Sequence, residues 1–468
     1  MKIPMRFPPS AFAAATALLM TGCAVGPSYQ RPVAAEVSAY KEAGDWITAA
    51  PADALERGPW WLMFNDPVLH DLAARVQVSN QNVAAAVAAY AQARALVAEQ
   101  RAGLFPSVTL GGGTSRAESN GTVRNNFQAN LGASWEPDVW GRLQSVANGA
   151  AALEAASAAD LATATLSAQG ELAVNYLSLR QQDAQKALLA STLAGYAKAL
   201  EIAQNRYAAG VAAKTDVLQA QTQLANAKAD EAGLQRTRAQ LEHAIAVLTG
   251  QAPGNFVLTA VADFKPVVPD VPVGVPSALL QRRPDIAAAE RRMASANAQI
   301  GVAQTAFYPS FGLNASAGTT AGRVADLFTA PAGLWSFGLS AAQVLFKGGA
   351  LDARTDGARA AYDQTVARYR QVVLLAFQNV EDQLSGTRVL KVQQELRAQA
   401  SNSADQVELQ ILNRYRSGQV SYTEVITAQT TALNARRALV QATADRLTTA
   451  VALIQSLGGG WGPSQSAK

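Results

Sequence analysis

Asn205-Arg206-Tyr207, Gly210, Thr215-Asp216-Val217 and Ala220-Gln221 recur as Asn413-Arg414-Tyr415, Gly418, Thr423-Glu424-Val425 and Ala428-Gln429. Every matched pair is 208 positions apart, and the same offset holds upstream at Gly141 and Gly349, Leu143 and Leu351, and Gly149 and Gly357. Self-similarity over this span marks a duplicated domain, not a short-period solenoid. Phe105-Pro106 and Tyr308-Pro309 match at an offset of 203, so the second copy gains five residues between these anchors, where a loop is expected. Between the copies Pro266, Pro269, Pro272 and Pro276 stand among valines. Each proline blocks helix and removes a donor, so residues 263–276 read as an extended linker.

Within each copy the predicted order is helix, two strands, a very long helix, a turn and a shorter helix. No proline interrupts Gly141 to Tyr207 or the matching stretch Gly349 to Tyr415. Apolar residues there step by three and four: Leu143, Val146, Ala150, Leu153; Leu172, Tyr176, Leu179; Leu189, Leu193, Tyr196, Leu200. That is heptad-like spacing with alanine between, the pattern of closely packed coiled-coil helices. At ~1.5 Å per residue such a helix is about 100 Å long.

Composition narrows the function. Hydrophobic residues make up 49% of the 468, with much of that share in alanine, and aromatics only 7%. A thin core of long helices follows. Lys and Arg number 39 against 35 Asp and Glu, a net charge of +4, which argues against a nucleic-acid partner. Two histidines and one cysteine argue against a metal site and leave no intrachain disulfide; no cofactor is expected. No apolar run outside the N-terminus is long enough for a helical membrane span.

Four segments alternate with period two, expected at about 106–115, 127–136, 309–318 and 334–345. Phe127, Ala129, Leu131, Ala133 and Trp135, for example, oppose Gln128, Asn130, Gly132 and Ser134. One apolar and one small polar face fit a half-buried sheet, or membrane strands with lipid outside and water inside. Phe105, Trp135, Tyr308, Phe311 and Trp335 sit at strand ends, as interfacial belts do. Four membrane strands leave unpaired edges that a bilayer does not tolerate. If these strands span a membrane, several copies must combine: two give eight strands and a filled barrel, three give twelve and room for a lumen.

The N-terminus is an address. Lys2 and Arg6 precede the apolar stretch Ala11 to Met20, and Thr21, Gly22 and Cys23 follow. This is the layout of a secretory signal. The small residues before the cysteine resemble the lipobox of bacterial lipoproteins, with Met20 where leucine is usual. The resemblance implies removal of residues 1–22, lipidation of Cys23 and, with Ala24 next, sorting to the outer membrane.

Cys23-Ala24-Val25-Gly26-Pro27-Ser28-Tyr29-Gln30-Arg31-Pro32 resembles the start of the outer-membrane efflux factor family, the TolC and OprM type. So do Leu279-Leu280-Gln281-Arg282-Arg283-Pro284-Asp285-Ile286 with Ala289-Glu290, Ala296 to Gly301, and the two Arg-Tyr-x-x-Gly stretches. The resemblance spans nearly the whole mature chain. It implies a mainly α fold with a small membrane β-barrel portion: a duplicated helix–hairpin–long-helix unit that, as a homotrimer, forms a 12-stranded β-barrel plus a long periplasmic α-helical barrel. The expected organisation is signal peptide 1–22, lipid-anchored extended segment 23–64, first repeat 65–262 with its long helix at about 141–207, linker 263–276, second repeat 277–460 with its long helix at about 349–415, and tail 461–468. The implied partners are outer-membrane lipid, a periplasmic adaptor and an inner-membrane pump of RND type, and the implied function is passive export or type I-like secretion with no catalytic step.

The resemblance places adaptor docking and the gate at the helix–turn–helix tips: Arg206, Tyr207, Gly210, Thr215 and Asp216 in the first, Arg414, Tyr415, Gly418, Tyr422, Thr423 and Glu424 in the second. Helix capping explains the same residues: Gly as the stop, Arg against the dipole, Thr as N-cap, and an acidic residue in the first turn. Relatives often carry charge where this chain has Thr427 and Thr430, which implies a less charged constriction. Arg282, Arg283 and Asp285 read as helix-start residues around Pro284. Gly111-Gly112-Gly113 lacks the Lys that a phosphate loop needs and suggests a strand bend or bulge. His70 and His243 lie in helical patterns and read as solvated or capped. A non-transporting envelope coiled coil and a peptidoglycan hydrolase are the alternatives to a duct, and no nucleophile–base pair supports the latter.

Overall fold

The computed structural model describes residues 25–32, 39–42, 59–271, 282–329 and 332–459. The signal and Cys23, Pro272 and Pro276 of the linker, Leu279 to Gln281 and the tail lie outside them. The helices are α1 (Pro67–Ser79), α2 (Gln81–Ala102), α3 (Arg142–Ala208), α4 (Lys214–Leu248), α5 (Pro284–Thr305), α6 (Ala350–Arg416) and α7 (Tyr422–Ser456). The strands are β1 (Ser107–Ser119), β2 (Thr122–Trp135), β3 (Ser310–Ala321) and β4 (Gly333–Ala342). Both long helices, α3 and α6, have 67 residues, and both shorter partners, α4 and α7, have 35. No described helix is long and apolar enough to cross a membrane.

The duplication does not divide the chain into two separately packed halves. Two compact units form, one from the described parts of 1–33, 89–158 and 288–371, the other from those of 34–88, 159–287 and 372–468. Each therefore draws on both copies. In the first unit the reason is the sheet: a lone hairpin is marginal, and β2 of copy one pairs with β3 of copy two.

That sheet runs β1-β2-β3-β4, antiparallel throughout. The turn joining β1 to β2 is Asn120-Gly121, both at positive φ, the two-residue hairpin connection. The β3–β4 connection is longer and holds a short 3-10 turn, Val324–Asp326, where the extra residues of the second copy were expected. Four strand limits differ from the alternation. β1 extends to Ser119, β2 begins at Thr122, β3 reaches Ala321 and β4 ends at Ala342, short of 345. The glycine triplet makes no bulge: Gly111, Gly112 and Gly113 face Asn130, Ala129 and Gln128 in unbroken register. Trp135 donates its indole N–H to the Leu104 carbonyl (3.0 Å), and Trp140 donates to that of Pro309 (2.7 Å). The N-terminal segment is fastened here too, with Val25 N–H donating to Trp140 O at 3.1 Å and the Arg31 guanidinium donating to the Tyr369 hydroxyl.

In the second unit the heptad positions Leu172, Tyr176, Leu179, Leu189 and Tyr196 are buried. The upstream run, within the first unit, is different. Leu153 is exposed, and Ala147, Ala150 and Ala156 are the buried residues, so alanine carries the contact and lets helices approach closely. An ionic network holds the chain after α4. Buried Arg180 and Asp183 pair at 3.0 Å, and Arg238 meets Asp183 at 2.7 Å and Glu242 at 3.0 Å. Arg180 also donates to Thr259 O, and Arg238 to Leu258 O. Charges this deep persist only when paired and hydrogen-bonded. Arg283 and Asp285 behave as helix-start residues: Arg283 spans the Asp285 carboxylate and the Ser456 carbonyl at the end of α7. His70 is exposed and accepts from the Trp61 indole at 3.0 Å.

Candidate functional site

Both long helices end in the same way. Gly210 and Gly418 each sit at φ +74°. Gly210 N–H donates to Tyr207 O and Val211 N–H to Arg206 O; Gly418 N–H donates to Tyr415 O and Gln419 N–H to Arg414 O. This pair of bonds satisfies the last helix carbonyls and needs a left-handed residue, which glycine supplies without strain. The next helix starts at Lys214 in one tip and Tyr422 in the other, so Thr215 and Thr423 are not the caps. Ser421 is the N-cap of α7 and forms a reciprocal box with Glu424, whereas Ala213 at the start of α4 caps with no side chain. The signal for Ser421 was present in sequence as Ser-x-x-Glu. Asp216 and Glu424 do lie in the first turns, against the positive helix ends.

The repeated residues are used unequally. Tyr415 is 3% exposed, its counterpart Tyr207 47%. Arg206 lies over the Tyr415 ring, 4.9 Å from its centroid, and donates to the Tyr415 carbonyl at 3.1 Å. Arg414 is exposed. Tyr415 and Tyr422 pack at 5.4 Å within a cluster with Ala199, Ala203, Ala220 and Val425. Burial raises the Tyr415 phenol, with Arg206 pulling the other way. Burial, then Tyr415, Tyr196 and Asp216, push Tyr422 up to about 12. Both phenols are therefore neutral at physiological pH.

The two threonines form neutral contacts. Thr427 donates its hydroxyl to Thr423 O in its own helix at 3.0 Å, and Thr430 accepts from the Gln223 amide on α4 at 3.1 Å. Gln429 was not among the expected site residues; it is buried and its Oε1 has no partner, while nothing in its sequence position distinguishes it from Gln221. Ion pairing between α4 and α7 is displaced along the helices to Asp230 and Arg437, at 2.8 Å. Among the described residues no cluster of His, Cys, Asp or Glu is placed to hold a metal ion.

The chain matches the family model of outer membrane efflux proteins over residues 72–251 and 275–459. It is 30% identical over 460 residues to the toluene efflux pump outer membrane protein TtgC of Pseudomonas putida, covering 96% of this chain and 95% of TtgC. It is 31% identical over 434 residues to the pyoverdine export outer membrane protein OpmQ of Pseudomonas aeruginosa, covering 89% and 90%. Its fold matches the outer-membrane channel OprN with a TM-score of 0.86 at 30% identity, covering 94% of this chain and all of that one. It also matches the open state of the Neisseria gonorrhoeae MtrE outer membrane channel, with a TM-score of 0.85 at 27% identity over 94% and 98% of the two chains. The chain thus belongs to the outer membrane efflux protein family: it is an outer-membrane channel of tripartite efflux systems with a large periplasmic part, a transport protein and not an enzyme.

Proposed function

We propose that three copies close one twelve-stranded barrel, that their helices continue it as a periplasmic tunnel, and that the tips dock an adaptor serving an RND-type pump. Membership of the family implies an adaptor and an inner-membrane pump as partners; the pump class and the trimer are the finer reading. Support comes chiefly from the sheet, which is open, with β1 and β4 as its edges and Val108, Leu110, Trp335, Phe337 and Leu339 exposed on one face. β4 of one copy and β1 of the next run in opposite directions, so they can pair antiparallel and remove both edges. Lipidation of Cys23 would add an anchor to this wall.

At the tips, Tyr207, Val211 and Leu218 are exposed apolar groups suited to an adaptor, and Arg206, Gly210, Thr215 and Asp216 set their placement. The second tip, with Arg414, Gly418, Thr423, Glu424, Thr427 and Thr430, forms the constriction, held by packing around Tyr415 and Tyr422 and by neutral hydrogen bonds. Exposed ion pairs add only ~0–1 kcal/mol each, so closure need not depend on them. Conductance in planar bilayers tests this reading. The purified protein should form discrete pores with little dependence on divalent cations or on pH near neutrality. Absence of pores would refute the duct; strong divalent dependence would refute the neutral constriction.

A further inference from the structure

The register of the sheet assigns each strand residue to the apolar or the polar face. Walking along β2 from Trp135 toward the hairpin, the polar face presents Ser134, Gly132, Asn130, Gln128, Asn126 and then Arg124. Across all four described strands Arg124 is the only charged residue on this face. Its partner in the ladder is Ala117. Arg116 and Glu118 are at the same height but alternate onto the other face, opposite Asn125 and Val123. Arg124 is exposed and, among the described residues, makes no ion pair. The β2–β3 ladder stops at Phe127 and Ala321, so Arg124 projects beyond it, close to the Asn120-Gly121 turn. The loop after β3 adds Arg323 and Asp326, whose charges offset each other. The helices join the sheet at its other end, at Trp135 and Ser107, which makes the hairpin end the outer one.

We propose that Arg124 sets the ion preference of the barrel lumen, as a ring of three guanidinium groups at its outer mouth that favours small anions and anionic solutes. This rests on the trimeric barrel proposed above. The other residues on the polar face of the described strands are neutral, and the protein around the bore has a low dielectric constant, so field lines concentrate in its water. The Debye length is about 30 Å at 0.01 M salt and about 3 Å at 1 M, so the ring acts across the mouth in dilute salt and is screened in concentrated salt.

The test is the reversal potential of the full-length channel in planar bilayers under a potassium chloride gradient. In dilute salt Arg124→Gln should raise the potassium-to-chloride permeability ratio about twofold, and Arg124→Glu should raise it further, since the ring changes sign. Arg124→Lys should keep the wild-type ratio, and all four proteins should converge at 1 M salt. Equal reversal potentials for wild type, Arg124→Gln and Arg124→Glu in dilute salt, with pores of normal size, would overturn the assignment while leaving the barrel intact. If the wild type itself forms no pores, the barrel fails and the inference fails with it.

Discussion

Arg206 and Tyr415 meet through a backbone carbonyl and a ring face, not through the phenolic hydroxyl, which is buried with no partner. The two truncations should therefore differ. Arg206→Ala removes a charged hydrogen bond and a cation–π contact, together about 1–3 kcal/mol, and should raise the fraction of time the pore is open. Tyr415→Phe removes only an unsatisfied hydroxyl and should be neutral or slightly stabilising. Equal effects in single-channel recordings would contradict this geometry. A second consequence concerns pH. Tyr422 ionises near 10 when unfolded and near 12 when folded, so the folded state holds the proton more tightly. Its stabilising share is complete below pH 10 and lost as pH rises toward 12. Thermal melting should be insensitive to this group near neutrality and fall in that alkaline window, and Tyr422→Phe should make the fall shallower. An unchanged alkaline slope in the variant would count against the buried phenol. The pairing of Arg206 with Tyr415 was not legible in sequence, because the repeat presents Arg206 and Arg414, or Tyr207 and Tyr415, as equivalents. Packing of one tip against the other breaks that equivalence. The stop glycines were legible, because a left-handed turn restricts residue choice, whereas the threonine repeated at Thr215 and Thr423 draws attention away from Ser421, two residues earlier, which is the N-cap.

A strand is read by parity, and parity decides what a substitution meets. Leu131 and Asn130 are adjacent on β2 and point to opposite faces, with Leu131 half exposed on the apolar one. Leu131→Arg places a charge toward lipid and should cost about 2–4 kcal/mol near mid-membrane, seen as loss of folded channel in outer-membrane fractions. Asn130→Arg, in the water-filled bore, should assemble at close to the wild-type level. Comparable losses would mean that the faces are assigned the wrong way round. Parity also explains which strand limits the sequence obscured. Thr114, Arg116 and Glu118 continue the outer face of β1 toward the hairpin, but their polarity hides the alternation that Val108 and Leu110 display. The long helices were legible end to end, because heptad spacing and the absence of proline act over dozens of residues. The network of Arg180, Asp183, Arg238 and Glu242 was not: its spacings of three and four look like a solvated helix face until the carbonyls of Leu258 and Thr259 fold over it.

The two copies of the repeat share one sheet, and among the described residues that sheet has two free edges, which the identical neighbours proposed above would cover. Each added copy contributes four strands, which restricts the wall to multiples of four. Two copies make eight strands, a barrel whose bore side chains largely fill; three make twelve, wide enough for water. A ring of this kind is heterologous: β4 of each copy meets β1 of the next, and rotation closes the circle. Subunit counting tests closure independently of conductance. Tagged and untagged chains expressed together at equal levels should give four oligomers by native mass spectrometry, in a ratio of about 1:3:3:1 for random mixing of three copies. Three oligomers would indicate a dimer, five a tetramer, and only two species, tagged and untagged chains that never co-purify, would indicate a monomer. The first two would change the size of the bore, and with it the charge density of the Arg124 ring. The last would leave the exposed apolar face of the sheet with no neighbour to complete its wall, and no duct could be built from it.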